Sequence, residues 1–142
     1  MADTIRFFAK GTPKPLARPR ATTWRGKDGR NRARVYDDGS SKEWGERVRA
    51  AGWIVRPREP ISEPVAVSLT FYLPRPKRLA KASAEPIVHA VKPDLDNLAK
   101  KILDVISGRF IADDKLVFKL VASKWYAGIG KPCGVEIVIH GD

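Results

Sequence analysis

The chain has 142 residues, of which 43% are hydrophobic and 30% are charged, as is typical of one soluble globular domain with a sizeable core. Lysine and arginine total 27 against 16 acidic residues, and the net charge of +11 favours a polyanionic partner such as nucleic acid over solubility alone. A single cysteine excludes an internal disulfide and a zinc site built on cysteines. No apolar run is long enough to span a bilayer and the N-terminus does not resemble a secretory signal, so we expect a cytoplasmic protein without membrane contact, one domain over residues 1–142.

The N-terminal part predicts a strand and then a basic arm. Residues 4–9 are β-branched and aromatic and indicate a strand. Residues 11–34 combine three prolines with many basic side chains around Trp24, and the prolines argue against a regular helix or a central strand. We predict a mobile arm that grips phosphates and offers an aromatic ring for stacking, with a solvated loop as the alternative. Its predicted DNA contacts are Lys14, Arg18, Arg20, Arg25, Arg30, Arg32 and Arg34.

The middle of the chain predicts a helix, a linker, a strand and a long loop. Residues 35–36 indicate a short extended piece that ends in a turn at residues 37–39. Ser40 and Glu43 have the spacing of a capping box, and apolar residues at helical spacing predict a helix over residues 41–52. Prolines between residues 57 and 64 predict a linker, and strict alternation over residues 65–73 predicts a strand. The loop that follows, to about residue 91, adds Arg75, Lys77 and Arg78 as candidate DNA contacts.

The C-terminal part predicts a helix and two strands. Asp94 is a good N-cap, Gly108 is a good C-terminal stop, and an apolar stripe between them predicts a helix. Residues 116–126 and 135–140 predict strands, which the glycine-rich turn between them leads us to pair antiparallel. The prediction is a single two-layer α/β domain with a mixed sheet of about four strands and two main helices. The stripe consists of Leu95, Leu98, Ala99, Ile102 and Ile106.

Two pairs of aspartates stand out in this basic chain. Asp94 and Asp96 open the second helix, and Asp113 and Asp114 precede the next strand. If this helix and strand lie side by side, the carboxylates could converge on Mg²⁺, which prefers hard oxygen ligands and activates water beside a phosphate. Lys100, four residues after Asp96, could stabilise the charge of the transition state or could simply pair with Asp96. The competing interpretation is that Asp94 is a plain N-cap and Asp96 a first-turn residue favoured by the helix dipole. His89 and His140 are too scattered for a histidine metal site, and we expect Cys133 to be unreactive.

This combination of residues resembles the RusA family of Holliday junction resolvases. The residues that carry the resemblance are Lys92-Pro93-Asp94-Leu95-Asp96-Asn97-Leu98-x-Lys100, then Asp104, Gly108, Asp113-Asp114 and Val117, with Gly11-x-Pro13-x-Pro15-x-x-Arg18-Pro19-Arg20, Tyr36 and Lys124 as weaker matches. The resemblance implies a RusA-like fold and a homodimeric, Mg²⁺-dependent endonuclease, with Mn²⁺ as an alternative ion. Such enzymes are common in bacteria, are often carried on prophages, and resolve four-way DNA junctions by paired symmetric nicks in recombination and repair.

Carried over by position, the resemblance implies roles for individual residues. Asp94, Asp96 and Asp114 correspond to the essential metal-site carboxylates, Asp113 to the less critical member of its pair, and Lys100 to the essential basic residue. Two alternatives stay open: a DNA-binding module without catalytic activity that uses the basic arm alone, and a metal nuclease that acts on other branched DNA, such as flaps. The carboxylates speak against the first alternative, because a pure binder gains nothing from negative charge facing phosphate.

Overall fold

The computed structural model describes residues 4–16, 20–36 and 39–141, without the side chains of residues 20–22 and 32–36. It confirms an α/β domain in which a mixed sheet of five strands carries two helices, and a separate hairpin adds two more strands. The fifth strand of the main sheet has only two residues and lies inside the predicted long loop. The strands are β1 (Ile5–Lys10), β2 (Arg20–Arg25), β3 (Asn31–Tyr36), β4 (Val65–Leu73), β5 (Ile87–Val88), β6 (Val117–Tyr126) and β7 (Gly134–Gly141), and the helices are α1 (Ser40–Gly52) and α2 (Leu95–Ile106). Neither of these helices is long and apolar enough to cross a membrane.

The five-stranded sheet has the order β1-β7-β4-β6-β5, with β4 at its centre. β4 pairs parallel with β6 and antiparallel with β7, so the expected antiparallel pairing of β6 with β7 is wrong. The helix α2 connects β4 to β6, and such a crossover makes the two strands parallel. Residues 127–133 connect β6 to β7 on the other side of β4. At about 3.3 Å per residue this connection is long enough to cross β4, because neighbouring strands are only about 4.8 Å apart.

One face of the sheet packs against both helices. The inward positions of β4 are buried, as the alternation predicts, and the β1 and β7 residues in register with them are buried as well. The predicted stripe of α2 covers these positions, with Val105 buried in addition and Leu95 only partly buried. Each large aliphatic side chain buried here contributes about 1.5–3 kcal/mol.

The helix α1 begins one residue earlier than expected. Its N-cap is Gly39, with a φ of 80°, so the predicted capping box with Ser40 at the N-cap is wrong. Glycine tolerates this left-handed backbone at no steric cost, which lets the chain turn into the helix at this position. At the other end, a Cβ on Gly52 would lie 2.6 Å from Phe7 and 2.8 Å from Phe110. The lack of a side chain therefore lets α1 close onto these two stacked rings.

Residues 20–36 form a β-hairpin, so two strands that the sequence did not predict occupy most of the basic arm. The register runs from Arg20 opposite Tyr36 to Arg25 opposite Asn31. In the turn, the N–H of Gly26 donates to the carbonyl of Arg30 at 2.8 Å, and the Asp28 side chain accepts from the Arg30 N–H at 3.0 Å. The three prolines of the segment all precede β2, so they do not interrupt the ladder. The expected turn at residues 37–38 lies outside the described residues.

Candidate active site

The first carboxylates lie at the exposed N-terminal end of α2. Asp94 is the N-cap residue with an extended backbone, and its carbonyl accepts a hydrogen bond from the Leu98 N–H at 3.1 Å. Its side chain makes no capping hydrogen bond, which differs from the predicted capping role. Asp96 is exposed in the first turn, where the helix dipole favours an anion. The oxygens of both carboxylates are therefore available to a cation.

The strand β6 holds the segment that leads into α2. Lys124 donates through Nζ to the carbonyl oxygen of Val91 and, at 2.7 Å, to that of Pro93. The Lys92–Pro93 peptide bond between them is cis. In addition, the N–H of His89 donates to the carbonyl of Lys124 at 3.3 Å. One lysine thus fixes two carbonyls just before Asp94 and sets the position of the start of α2.

The second carboxylate pair is positioned by a buried apolar segment. Phe110 and Ile111 are fully buried, as expected of the short apolar run before the pair. The N–H of Ala112 donates to the carbonyl of Ile61 at 2.8 Å, and the N–H of Ile61 donates to the carbonyl of Phe110 at 3.0 Å. These bonds tie the segment to the linker before β4. Asp113 and Asp114 follow immediately, exposed, at the start of a 3₁₀ turn that leads into β6.

The two members of this pair have pKa values that move apart. A hydrogen bond from the Lys115 N–H, at 2.9 Å, and then one with Asp114 lower the pKa of Asp113. The hydrogen bond with Asp113, followed by desolvation and by the negative charges of Asp113 and Asp104, raises the pKa of Asp114. Asp104, from the second half of α2, is therefore close enough to add its charge to the pair. A divalent cation would relieve this repulsion between like charges.

Lys100 lies between the two carboxylate pairs. Asp96, Lys100 and Asp104 are spaced four residues apart on one exposed face of α2, and Asp96 and Asp104 are separated by about 12 Å along the helix axis. In the described part of the chain, Lys100 forms no salt bridge with either of them. Its ammonium group is therefore available to a bound anion.

In the described part of the chain, the two carboxylate pairs do not come together around a single ion. Across residues 4–16, 20–36 and 39–141, no three histidine, cysteine, aspartate or glutamate side chains come close enough to hold one ion. The geometry instead gives one exposed pair at the start of α2 and a second pair beside Asp104, because β6 begins next to the second half of the helix. Both pairs consist of carboxylate oxygens, the hard ligands that fit Mg²⁺.

The hairpin presents basic and aromatic side chains to solvent. Arg25 and Arg30 are exposed beside the turn, together with Trp24, which is 48% exposed. The N–H of Leu16 donates to the carbonyl of Asn97 at 3.1 Å, so the segment that precedes the hairpin is attached to the first turn of α2. Lys14 is half-buried in this segment. The side chains of Arg20, Arg32 and Arg34 lie outside the described part of the structure, as does the whole of Arg18.

Arg75 has a structural role that the sequence did not indicate. Its guanidinium donates to the carbonyl oxygens of Ala127 at 3.1 Å and Glu85 at 2.7 Å, and also to those of Leu79 and Ser83. These bonds fold the loop between β4 and β5, and they occupy four of the five N–H donors of Arg75 within the protein. Lys77 and Arg78, the other predicted contacts in this loop, are exposed.

His89 and Cys133 belong to the scaffold. His89 is 5% exposed, and its ring lies 4.5 Å from the ring of Tyr126. Burial and then the positive charge of Lys124 lower the pKa of His89, so the neutral form is favoured. Burial raises the pKa of the half-buried Cys133 thiol, which agrees with an unreactive cysteine.

Two residues of this site had no role assigned from the sequence alone. Asp104 and Lys124 both stand at positions covered by the resemblance, which was the one available signal. Lys124 acts over more than thirty residues of chain, on the carbonyls of Val91 and Pro93, and no local periodicity reveals such a contact.

The match to a known protein family includes every element of this site. The family model described as Endodeoxyribonuclease RusA matches residues 10–140. The chain is also 30% identical over 132 residues to the uncharacterized protein YqaN of Bacillus subtilis strain 168, covering 88% of this chain and 89% of YqaN. The region matched by the family model includes the hairpin, both helices and both carboxylate pairs.

Proposed function

Since the chain belongs to the RusA endodeoxyribonuclease family, we propose that it is a divalent-metal-dependent endonuclease that resolves four-way DNA junctions. The observation that carries the proposal is the pair of exposed carboxylate sites on either side of Lys100, in a chain of net charge +11. The net positive charge of the protein attracts DNA, whereas the local cluster of carboxylates attracts a cation. A metal ion can therefore bind at the surface that the DNA approaches.

Each carboxylate pair, Asp94 with Asp96 and Asp113 with Asp114, is proposed to supply ligands to divalent metal at its own end of α2. When bound, Mg²⁺ would supply an activated water and neutralise charge on the phosphate. Asp113 is proposed to be the less critical member of its pair, because its carboxylate already accepts from the Lys115 N–H at 2.9 Å. Lys124 keeps Asp94 in place through the two carbonyls that precede it.

Lys100 is proposed to stabilise the scissile phosphate. Its ammonium group is exposed and forms no salt bridge with Asp96 or Asp104 within the described part of the chain. Charge that develops on phosphate oxygens in the transition state is stabilised by a positioned cation, an effect worth about a hundredfold or more in rate. A lysine already paired with a carboxylate would contribute less.

The hairpin and the loop after β4 are proposed to bind the duplex arms of the junction. The N–H of Leu16, in the segment that precedes the hairpin, donates to the carbonyl of Asn97 beside Asp96, which supports a path for the DNA from the hairpin to the carboxylates. Arg25 and Arg30 would contact phosphates, and Trp24 offers a ring for stacking. Selectivity would come from the shape of the junction.

A homodimer is proposed because resolution requires two symmetric cuts, and a two-fold dimer supplies two equivalent sites. β5 pairs with β6 only at Trp125 and Tyr126, so most of this edge of β6 has no strand partner in the described part of the chain. Phe118 and Val121 on this edge are 56% and 53% exposed. An unpaired apolar edge is a template for pairing with a second copy. Light scattering should find a dimer that Phe118→Asp converts to monomer, and a monomeric wild type would contradict the proposal.

The catalytic assignment is tested by a Mg²⁺ titration of junction cutting. Asp114→Asn and Lys100→Met should each slow cutting by about a hundredfold or more at saturating Mg²⁺. Glu59→Gln, a change at an exposed carboxylate of the linker before β4, is the control and should cut like the wild type. Cutting at the wild-type rate by both site variants would remove these residues from the mechanism.

A further inference from the structure

A cleft of about 430 Å³ opens between α1 and the second half of α2. Its volume is in the range that holds small ligands. From α1 it is lined by Ser41, Lys42 and Arg49, and from α2 by Lys101 and Asp104. Asp104 also adds its charge to the second carboxylate pair, so the cleft and the candidate active site are neighbours.

The charge in the cleft suits an anion. Lys42, Arg49 and Lys101 contribute three positive charges, against the two negative charges of Glu46 and Asp104. Within the described part of the chain, none of the three cations forms a salt bridge. Ser41 and Lys42 are in the first turn of α1, where the helix dipole adds positive potential. The cleft therefore carries a net charge near +1 with unneutralised donors.

Gly45 gives Lys101 its place in the cleft. A Cβ at position 45 would lie 3.1 Å from Lys101 Cε and 3.2 Å from Nζ. Because glycine has no side chain, the lysine stem of α2 can lie directly against α1. The ammonium group is thereby held on the α1 side of the cleft.

Buried polar atoms in the lining lack partners. Ser41 is 4% exposed, and its Oγ has no hydrogen-bond partner among the described residues. The Nε of Arg49 is likewise buried and has no partner in the described part of the chain. Buried donors are almost always satisfied in native proteins, so a bound acceptor is the simplest explanation for two unsatisfied donors in one cleft.

We propose that this cleft binds a phosphodiester of the DNA strand that passes the Asp113–Asp114 pair, and so positions that strand for cutting. Phosphate oxygens accept hydrogen bonds, which matches the hydroxyl, guanidinium and ammonium donors of the lining. A net charge near +1 matches the single negative charge of a phosphodiester better than the double charge of free phosphate. The inference rests on the proposed function for the identity of the strand.

The first test measures binding without cutting. Anisotropy of a labelled junction in EDTA would be followed over a salt series for Arg49→Gln/Lys101→Gln. A control with equal charge, Lys10→Gln/Lys131→Gln, removes two exposed lysines outside the cleft. The cleft variant should lower the slope of log affinity against log salt by about 1 for the one phosphate that the cleft neutralises, and the control by clearly less. Equal slopes for the two variants would overturn the proposal.

The second test identifies the ligand. Amide NMR shifts would be recorded while the wild type and Ser41→Ala are titrated with the dinucleotide d(TpT) or with inorganic phosphate. The dinucleotide should change the amide chemical shifts of Ser41 and Gly45 in the wild type, and it should change that of Gly45 less in Ser41→Ala. The melting temperature of Ser41→Ala should equal or exceed that of the wild type. Shifts from inorganic phosphate alone, or from neither probe, would overturn the proposal. Cleft binding in a chain that cuts no DNA would contradict the proposed function instead.

Discussion

Lys124→Met tests whether β6 positions the candidate active site. The substitution keeps the aliphatic stem and removes the two hydrogen bonds to Val91 and Pro93. Hydrogen bonds from a charged donor are worth about 1.5–3 kcal/mol when buried, and partial exposure reduces each to about 1 kcal/mol here. A loss of about 2 kcal/mol should lower the melting temperature by about 4–8 °C, as measured by circular dichroism.

The same substitution should affect catalysis more than folding. With its entry segment released, Asp94 would shift, and a misplacement of about 1 Å can cost about a hundredfold in rate. Assayed well below the melting temperature, Lys124→Met should cut more slowly and need more Mg²⁺ for half-maximal rate. The matched control is Lys119→Met, an exposed lysine of the same strand. If both variants melt and cut alike, the positioning argument fails.

Three further predictions concern the metal, the DNA and pH. Asp94→Asn should reduce cutting by about a hundredfold or more while junction binding, measured by gel shift, is kept or tightened, since a negative charge near phosphate is lost; lost binding would make the residue structural. Arg25→Gln/Arg30→Gln should weaken junction binding and lower its salt slope by about 2, whereas an unchanged slope would take the hairpin off the DNA. Burial lowers the pKa of His89 in the folded protein below its ordinary value of 6.5. The neutral, buried ring therefore stabilises the fold fully at pH values above 6.5, and this stabilisation is lost as the pH falls through the lowered pKa. The free energy of unfolding by urea should therefore depend less on pH between 7.5 and 5 for His89→Phe than for the wild type or for His140→Gln. The same pH dependence in all three proteins would show that His89 is not its source.

The sequence predicted those elements whose pattern is local. The apolar stripe of α2 and the alternation of β4 each fix an element and its buried face without distant contacts. For the same reason, the sequence placed Asp94, Asp96 and Lys100 on one exposed helix end. The family resemblance added the importance of Asp113 and Asp114, and the match over residues 10–140 shows the family itself.

Features that depend on distant contacts were not predictable in the same way. The pairing of β6 is decided by the α2 crossover, and the turn after β6 misleadingly favours a hairpin with β7. In the basic segment, a high arginine content and nearby prolines obscured the short alternating strands β2 and β3. The neighbourhood of Asp104 and Asp114 likewise arises only when β6 lies against α2.

The decisive measurement is cleavage of a labelled mobile four-way junction, with and without Mg²⁺, beside linear duplex and a flap of the same sequences. We expect paired symmetric nicks in the junction alone and only with the metal. Equal cutting of the flap would replace junction resolution by a broader activity on branched DNA. Tight junction binding without any cut, in Mg²⁺ or Mn²⁺, would contradict the proposal of a metal-dependent nuclease.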